Sequence, residues 1–361
     1  MKIDFIAGAR PNFIKIASII HAVDTLNLKE IKYRLVHTGQ HYDKNMSGNF
    51  FDQLNIPNPD INLEVKSGSQ SEQTGKIMIR YESLLKNNPT DFCLVVGDVN
   101  STMACSIVAK KMNTKVIHIE AGIRSWDMTM PEEINRIVTD SITDYFFTTS
   151  VLASQNLTNC GVPKHKIFFV GNTMIDTLMR FKKDFLKPSI WDKIKLKKKS
   201  YIILTLHRPH NVDFKEQLHS IIKEILYSAK NIPVIFPVHP RTAKQLNTIH
   251  FDNPNLHLIS PLSYLEFNYL VERSMAVITD SGGISEETTV MNVPCMTLRN
   301  NTERPETVKY GTNEIIGAST KLIKPMLEKL ILGNWKSGQA PALWDGKSGD
   351  RIIQTIINLK K

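Results

Sequence analysis

The stretch Phe92-Cys93-Leu94-Val95-Val96-Gly97-Asp98 and, one helical segment later, Val116-Ile117-His118-Ile119-Glu120-Ala121-Gly122-Ile123-Arg124 decide the fold. Each is a short, almost wholly apolar run that ends at a glycine or an acid, the pattern of a strand buried on both faces of a parallel sheet. In such a sheet the carboxyl ends of the strands border the ligand crevice, so Asp98, Glu120 and their followers face one cavity. Pro131-Glu132-Glu133-Ile134-Asn135-Arg136 comes next, which brings at least three carboxylates and two arginines to these ends. Acids can move a proton and arginines can hold a phosphate, a combination suited to a phosphorylated or nucleotide-linked substrate.

Working outward, β-branched runs alternate with helical patterns along the chain. Lys2 to Ala7, Tyr33 to His37, Phe92 to Val96, Val116 to Ile119, Tyr145 to Thr148 and Ile167 to Val170 read as strands. A helix is expected from Gly171-Asn172 to about Leu186. A second series then follows at Tyr201 to Leu206, Pro233 to Pro237, Leu256 to Ile259, Ala276 to Thr279 and Cys295 to Leu298. The fold class is therefore α/β, with two doubly wound, Rossmann-like domains facing a cleft. Residues 1–171 form the first and 172–345 the second, and a last helix over 346–361, apolar at Ile352, Ile353, Ile356 and Ile357, is expected to pack back on the first.

At 361 residues, 42% hydrophobic and 22% charged, the chain has the composition of an ordinary globular protein of two domains. No run approaches the roughly 18 to 20 apolar residues that span a bilayer. Met1 to Arg10 reads as a strand and turn, not as a secretion signal, so a cytoplasmic location and no membrane partner are expected. Cys93, Cys105, Cys160 and Cys295 stand far apart, without the spacing of a metal site, and are expected to be reduced and mostly buried. The net charge is +10, and the densest basic run is Lys193-Ile194-Lys195-Leu196-Lys197-Lys198-Lys199. That run has no aromatics to stack on bases; it reads as a solvated linker, and no nucleic-acid partner is expected.

Four further motifs sit at predicted strand ends. Gly8-Ala9-Arg10-Pro11-Asn12-Phe13-Ile14-Lys15 opens a helix whose exposed N–H groups, with Arg10 and Lys15, would attract an anion; the alternative is a plain turn. In Thr279-Asp280-Ser281-Gly282-Gly283-Ile284-Ser285-Glu286-Glu287, the two glycines let a ligand approach the backbone. Ser281 offers a hydroxyl at the helix start, and Glu287 is within reach of a ribose diol; a capped helix without ligand is the alternative. Thr302-Glu303-Arg304-Pro305-Glu306 adds an arginine, either to that site or to a surface ion pair. Leu206-His207-Arg208-Pro209-His210 supplies imidazoles, with His207 able to donate to a phosphate oxygen or to act as an acid near neutral pH, and His239 a weaker candidate of the same kind. Phe267 is either core or a base-stacking aromatic.

On these motifs, in this order from Gly8 to Arg351, the chain resembles the non-hydrolysing UDP-N-acetylglucosamine 2-epimerases. The resemblance implies the two-domain GT-B-like fold of nucleotide-sugar glycosyltransferases, a UDP-sugar substrate, no metal or other cofactor, and a homodimer. It implies that Arg10, Ser281, Gly282, Gly283, Glu287 and Arg304 bind UDP and that Phe267 borders the uracil. Lys15, Asp98, Glu120, Glu132, Arg136 and His207 would surround the diphosphate and sugar, with Asp98, Glu120 and Glu132 as acids and bases and His207 assisting at the phosphate. The family's reaction eliminates UDP to give a 2-acetamidoglucal and adds it back with a proton delivered to the opposite face.

Departures from the family pattern are local. Asn12 replaces a common glutamate, Met130 replaces an aromatic, and the Arg-Gln pair of substrate-activated bacterial members is missing around Ser67-Gly68-Ser69, although Gln40 remains. Trp126-Asp127-Met128 and the Gly-Ala-Arg-Pro start are similar to relatives that epimerise UDP-2,3-diacetamido-glucuronic acid. That activity, a hydrolysing epimerase, a glycosyltransferase and a non-catalytic nucleotide-sugar binder are the rivals.

Overall fold

The computed structural model describes residues 1–26, 30–39, 50–317 and 319–359. The chain divides into two compact units, Met1–Arg180 with Ala342–Lys361, and Phe181–Pro341. The first is built on β1 (Lys2–Ala7), β2 (Lys32–His37), β3 (Ile61–Asn62), β4 (Phe92–Val96), β5 (Lys115–Ile119), β6 (Tyr145–Thr148) and β7 (Ile167–Phe169), in the order β3-β2-β1-β4-β5-β6-β7. The second holds β8 (Ile202–Thr205), β9 (Val234–Pro237), β10 (Leu256–Ile259), β11 (Ala276–Thr279), β12 (Cys295–Thr297) and β13 (Asn313–Ile315), in the order β10-β9-β8-β11-β12-β13. Pairing is parallel at the central strands of both, β1 with β4 and β8 with β11.

All five residues of β4 are buried, as its unbroken apolar run requires. The buried exception in β1 is Asp4, which receives two hydrogen bonds from its register partner Arg34 at 2.9 and 2.7 Å and a third from the Tyr81 hydroxyl at 3.0 Å. Strand order reverses between β1 and β4 in one sheet and between β8 and β11 in the other. These switch points are where strand-end loops splay apart and leave room for a ligand.

The helix after Gly171-Asn172 ends at Phe181 and is followed by a short 3-10 turn, Lys182–Asp184, instead of running to Leu186. It belongs to the first unit: Ile175 and Leu178 are buried, and the Thr177 hydroxyl donates to the Ile14 carbonyl at 2.6 Å. The division therefore follows Arg180 and not Gly171. At the return crossing, fully buried Trp344 donates from Nε1 to the Thr149 carbonyl at 3.0 Å. The final helix, Ser348–Asn358, packs on helix Arg10–Thr25 through Ile352, Ile353 and Ile356. Gly349 permits this approach, because a Cβ there would lie 2.5 Å from the Ser18 carbonyl oxygen.

The lysine-rich run is not a free linker. Its lysines are exposed, but Ile190 and Leu196 sit in the same apolar cluster as Tyr201, Ile203 and Val277. All four cysteines are free, with only Cys160 exposed. No helix among the described residues is long and apolar enough to cross a membrane.

Candidate active site

In the first unit, the ends of β1, β4 and β5 are tied together by polar side chains. Asn12 accepts from the N–H groups of Gly8 and Ala9 at 3.3 and 2.9 Å and donates to the Val96 carbonyl at 3.0 Å. It thereby joins the turn after β1 to the end of β4, a task for which an amide, with both donor and acceptor, is suited. One turn further along the same helix, Lys15 Nζ donates to Glu120 Oε2 at 2.5 Å, both side chains being at least nine-tenths buried. Glu120 has left-handed backbone, φ 69°, directly after β5, a conformation that costs energy in a residue other than glycine and often marks a site. Gly97 adjoins this pair; a Cβ there would stand 3.3 Å from Lys15 Nζ.

Asp98 lies one residue beyond Gly97. Its Oδ2 accepts from Arg136 Nε at 3.0 Å and Nη2 at 2.6 Å. The third edge of the guanidinium reaches Glu133 Oε2 at 2.5 Å, and Glu133 also accepts from the N–H groups of Ser125 and Trp126 at 3.0 Å each. Arg136 thus serves two carboxylates, one third-exposed (Asp98) and one fully buried (Glu133). Glu132 is exposed in the first turn of helix Pro131–Ile142, where an acid is favoured by the helix dipole. Beneath them His118 joins the Gly97 carbonyl (2.9 Å) to Asp140 (2.7 Å), which also accepts from Arg124 at 2.6 Å. Burial opposes ionisation of Asp140, but His118 and Arg124 outweigh it and hold the carboxyl below its ordinary range. Arg10 lies over the Phe50 ring, 4.6 Å from its centre, and burial lowers its pKa.

In the second unit, Asp280 leaves β11 fully buried and accepts from the N–H groups of His207 and Arg208 at 3.1 and 2.9 Å and from Asn211 Nδ2 at 3.0 Å. Its Oδ1 lies 2.8 Å from His207 Nδ1. Burial alone would raise the acid, but these donors, His207 foremost, bring it down to about 2. Ser281 then precedes helix Gly282–Met291, and its side chain makes no cap bond to that helix. Arg299, buried, grips Glu303 through both nitrogens at 2.7 Å beside Gly282. Arg304 pairs through Nε with buried Glu286. Glu287 receives the Tyr264 hydroxyl at 2.8 Å, and burial lifts its pKa to about 7. Phe267 is half-buried on helix Tyr264–Arg273, packed against the apolar core. His239 is exposed, its ring centre 5.7 Å from that of His207.

The structure thus joins Lys15 with Glu120, Asp98 with Arg136, and the helix start at Gly282 with Arg299 and Glu303. Sequence reasoning passed over Glu133, Asp140, Asp280, Glu286 and Arg299, although Glu133, Asp280 and Glu286 lie inside quoted motifs. At the departed Arg-Gln position, Ser69 caps helix Gln70–Asn87 by accepting from Glu72 N–H at 3.2 Å, and Gln70 accepts from Asn100 at 2.6 Å. Gln40 lies outside the described residues.

Two parallel sheets with alternating helices, each with charged groups at its switch point, define an α/β enzyme of the GT-B-like class. The sequence profile of the family described as UDP-N-acetylglucosamine 2-epimerase matches residues 24–357. The chain is 42% identical to the UDP-N-acetylglucosamine 2-epimerase of Methanocaldococcus jannaschii over 99% of both chains. It is 37% identical to the UDP-2,3-diacetamido-2,3-dideoxy-D-glucuronate 2-epimerase of Pseudomonas aeruginosa, covering 99% of this chain and 100% of that one. A crystal structure of the Methanocaldococcus jannaschii UDP-GlcNAc 2-epimerase in complex with UDP-GlcNAc and UDP matches at a TM-score of 0.88 and 39% identity, covering 99% of this chain and 100% of that one. The chain belongs to the UDP-N-acetylglucosamine 2-epimerase family.

Proposed function

We propose that this enzyme interconverts UDP-N-acetylglucosamine and UDP-N-acetylmannosamine without hydrolysis, as a cytoplasmic homodimer feeding surface polysaccharide synthesis. The observation that carries the reading is the pair of acids at one switch point, Asp98 and Glu120, each bonded to a cation, in a chain whose likeness to named epimerases runs the full length.

The proton on the sugar's second carbon is not acidic, so its direct removal would be slow. Elimination avoids that difficulty. A carboxylate among Asp98, Glu120 and Glu132 takes the proton, the C1–O bond breaks with its electron pair going to the β-phosphate oxygen, and a C1=C2 bond forms. UDP oxygen then returns to C1 while a second acid delivers a proton to the other face of C2, giving the manno epimer. Lys15 and Arg136 hold Glu120 and Asp98 in place and compensate charge as it develops. On the UDP side, Ser281, Gly282 and Gly283 offer a helix start to the diphosphate, Arg10 and Arg304 add cations, Glu287 takes the ribose, Phe267 borders the uracil and His207 addresses the phosphate.

Proton NMR of the purified protein with UDP-N-acetylglucosamine in deuterated water tests this. Deuterium at C2, the manno epimer appearing and UDP still attached are expected. Free N-acetylmannosamine with UDP would mean a hydrolysing enzyme, and no exchange would redirect attention to the diacetamido-uronate substrate or to binding without turnover. Turnover of UDP-N-acetylmannosamine alone, without a lag, is the expected mark of a missing activation site.

A further inference from the structure

Asp280 is a fully buried acid of the second unit's cluster, and the elimination and re-addition of UDP give it no task. Its carboxylate is surrounded by donors: the backbone N–H groups of His207 and Arg208, the Asn211 amide, and His207 Nδ1 at 2.8 Å. Held ionised in this way, it has no hydrogen to give. The proton between it and the imidazole must therefore sit on Nδ1, and the only ring nitrogen of His207 where a proton can arrive or leave is Nε2. The neighbouring ring is bonded in the opposite sense: His239 Nδ1 accepts from Arg241 N–H at 3.2 Å. The two ring centres stand 5.7 Å apart. The side chain of His207 is 40% exposed although its partner is wholly buried, so its outer edge is reachable by a ligand.

We propose that Asp280 is a positioning residue for the reaction, holding His207 in the Nδ1–H tautomer so that Nε2 alone addresses the departing diphosphate. With the ring protonated, Nε2–H transfers its proton to the β-phosphate oxygen as the C1–O electron pair arrives there. The proton returns to Nε2 when that oxygen re-adds to C1. The role in turnover rests on the epimerase reading; the tautomer does not.

Nitrogen-15 NMR of the full chain labelled at histidine, with His207 assigned by its loss in His207→Gln, reads the tautomer directly. The expected neutral ring has Nδ1 protonated and Nε2 bare. In Asp280→Asn, the amide oxygen stays with the backbone N–H groups and the NH2 faces Nδ1, so the tautomer is expected to invert. A bare Nδ1 in the wild-type protein would overturn the proposal, and this reading stands even where Asp280→Asn fails to fold. In the isomerisation assay Asp280→Asn is expected to lower kcat about 100-fold with KM within about threefold, the scale of a displaced acid. In a His207→Gln background the same change should cost little more. Full kcat in the single variant, or an equal loss in both backgrounds, would assign Asp280 to structure alone. Wild-type protein that leaves UDP-N-acetylglucosamine unchanged would remove the role in turnover along with the epimerase reading, whatever the tautomer.

Discussion

The charged groups of the two units are organised differently. At the β1–β4–β5 ends three acids are each met by a cation: Glu120 by Lys15, Asp98 by Arg136, Asp140 by Arg124. At the β8–β11 ends the central acid, Asp280, is satisfied by backbone N–H groups, an amide and a histidine. Next to it come a helix start with two glycines and an arginine, Arg304, backed by buried Glu286. The first arrangement suits proton transfer at carbon, where the carboxyl groups that take and give the proton must be held in one geometry. The second suits an incoming polyanion, because backbone donors and a backed arginine can accept phosphate charge with little rearrangement.

If the contrast is functional, the largest effects should come from the first unit and fall on turnover. Asp98→Asn and Glu120→Gln are each expected to reduce kcat by about 1,000-fold or more, within the span of general acid–base catalysis, while UDP affinity by calorimetry stays within about threefold. Either variant at wild-type activity would remove that residue from the chemistry and leave the first cluster as a structural knot.

Effects in the second unit should fall on affinity. Arg304→Ala is expected to weaken UDP binding about thirtyfold, as for a lost charge-assisted bond. It also leaves Glu286 without this cation, and a buried carboxylate so stripped costs on the order of 3–5 kcal/mol of stability. Adding Glu286→Gln separates the two consequences: the unfolding midpoint should recover and the affinity should not. Recovery of both would mean that Arg304 serves only the fold.

The contrast was only half visible in the sequence. Strands such as Phe92–Val96 and Ala276–Thr279 stood out with their observed limits, because a fully buried strand is an unbroken apolar run. Ile61–Asn62 and Asn313–Ile315 did not, being two- and three-residue strands at sheet edges, too short for a pattern. Asp98, Glu120 and His207 could be picked out as polar residues within two positions of strand ends. Glu133 could not be told from Glu132, since successive positions on a helix point about 100° apart and only packing decides which one is buried. Asp280 was read as part of a loop motif because its partners, His207, Arg208 and Asn211, come from another strand's loop.

The smallest expected effect tests the affinity side through pH. Glu287 is fully buried, and lost hydration raises its pKa from 4.5 to about 7 despite the Tyr264 and Asn268 donors. With the folded value above the unfolded one, the folded state holds the proton more tightly. The stability this provides is complete below about pH 4.5 and is lost as pH rises toward about 7. Ligand binding runs the other way if the ionised carboxylate receives the ribose hydroxyls. UDP affinity should then improve about tenfold between pH 6 and pH 8, the change in ionised fraction around such a pKa. Glu287→Gln cannot ionise, so its affinity profile should contain only the titration of UDP itself, and the difference between the two profiles isolates the residue. Parallel profiles would place Glu287 away from the ribose and leave its bond to Tyr264 as packing between helices.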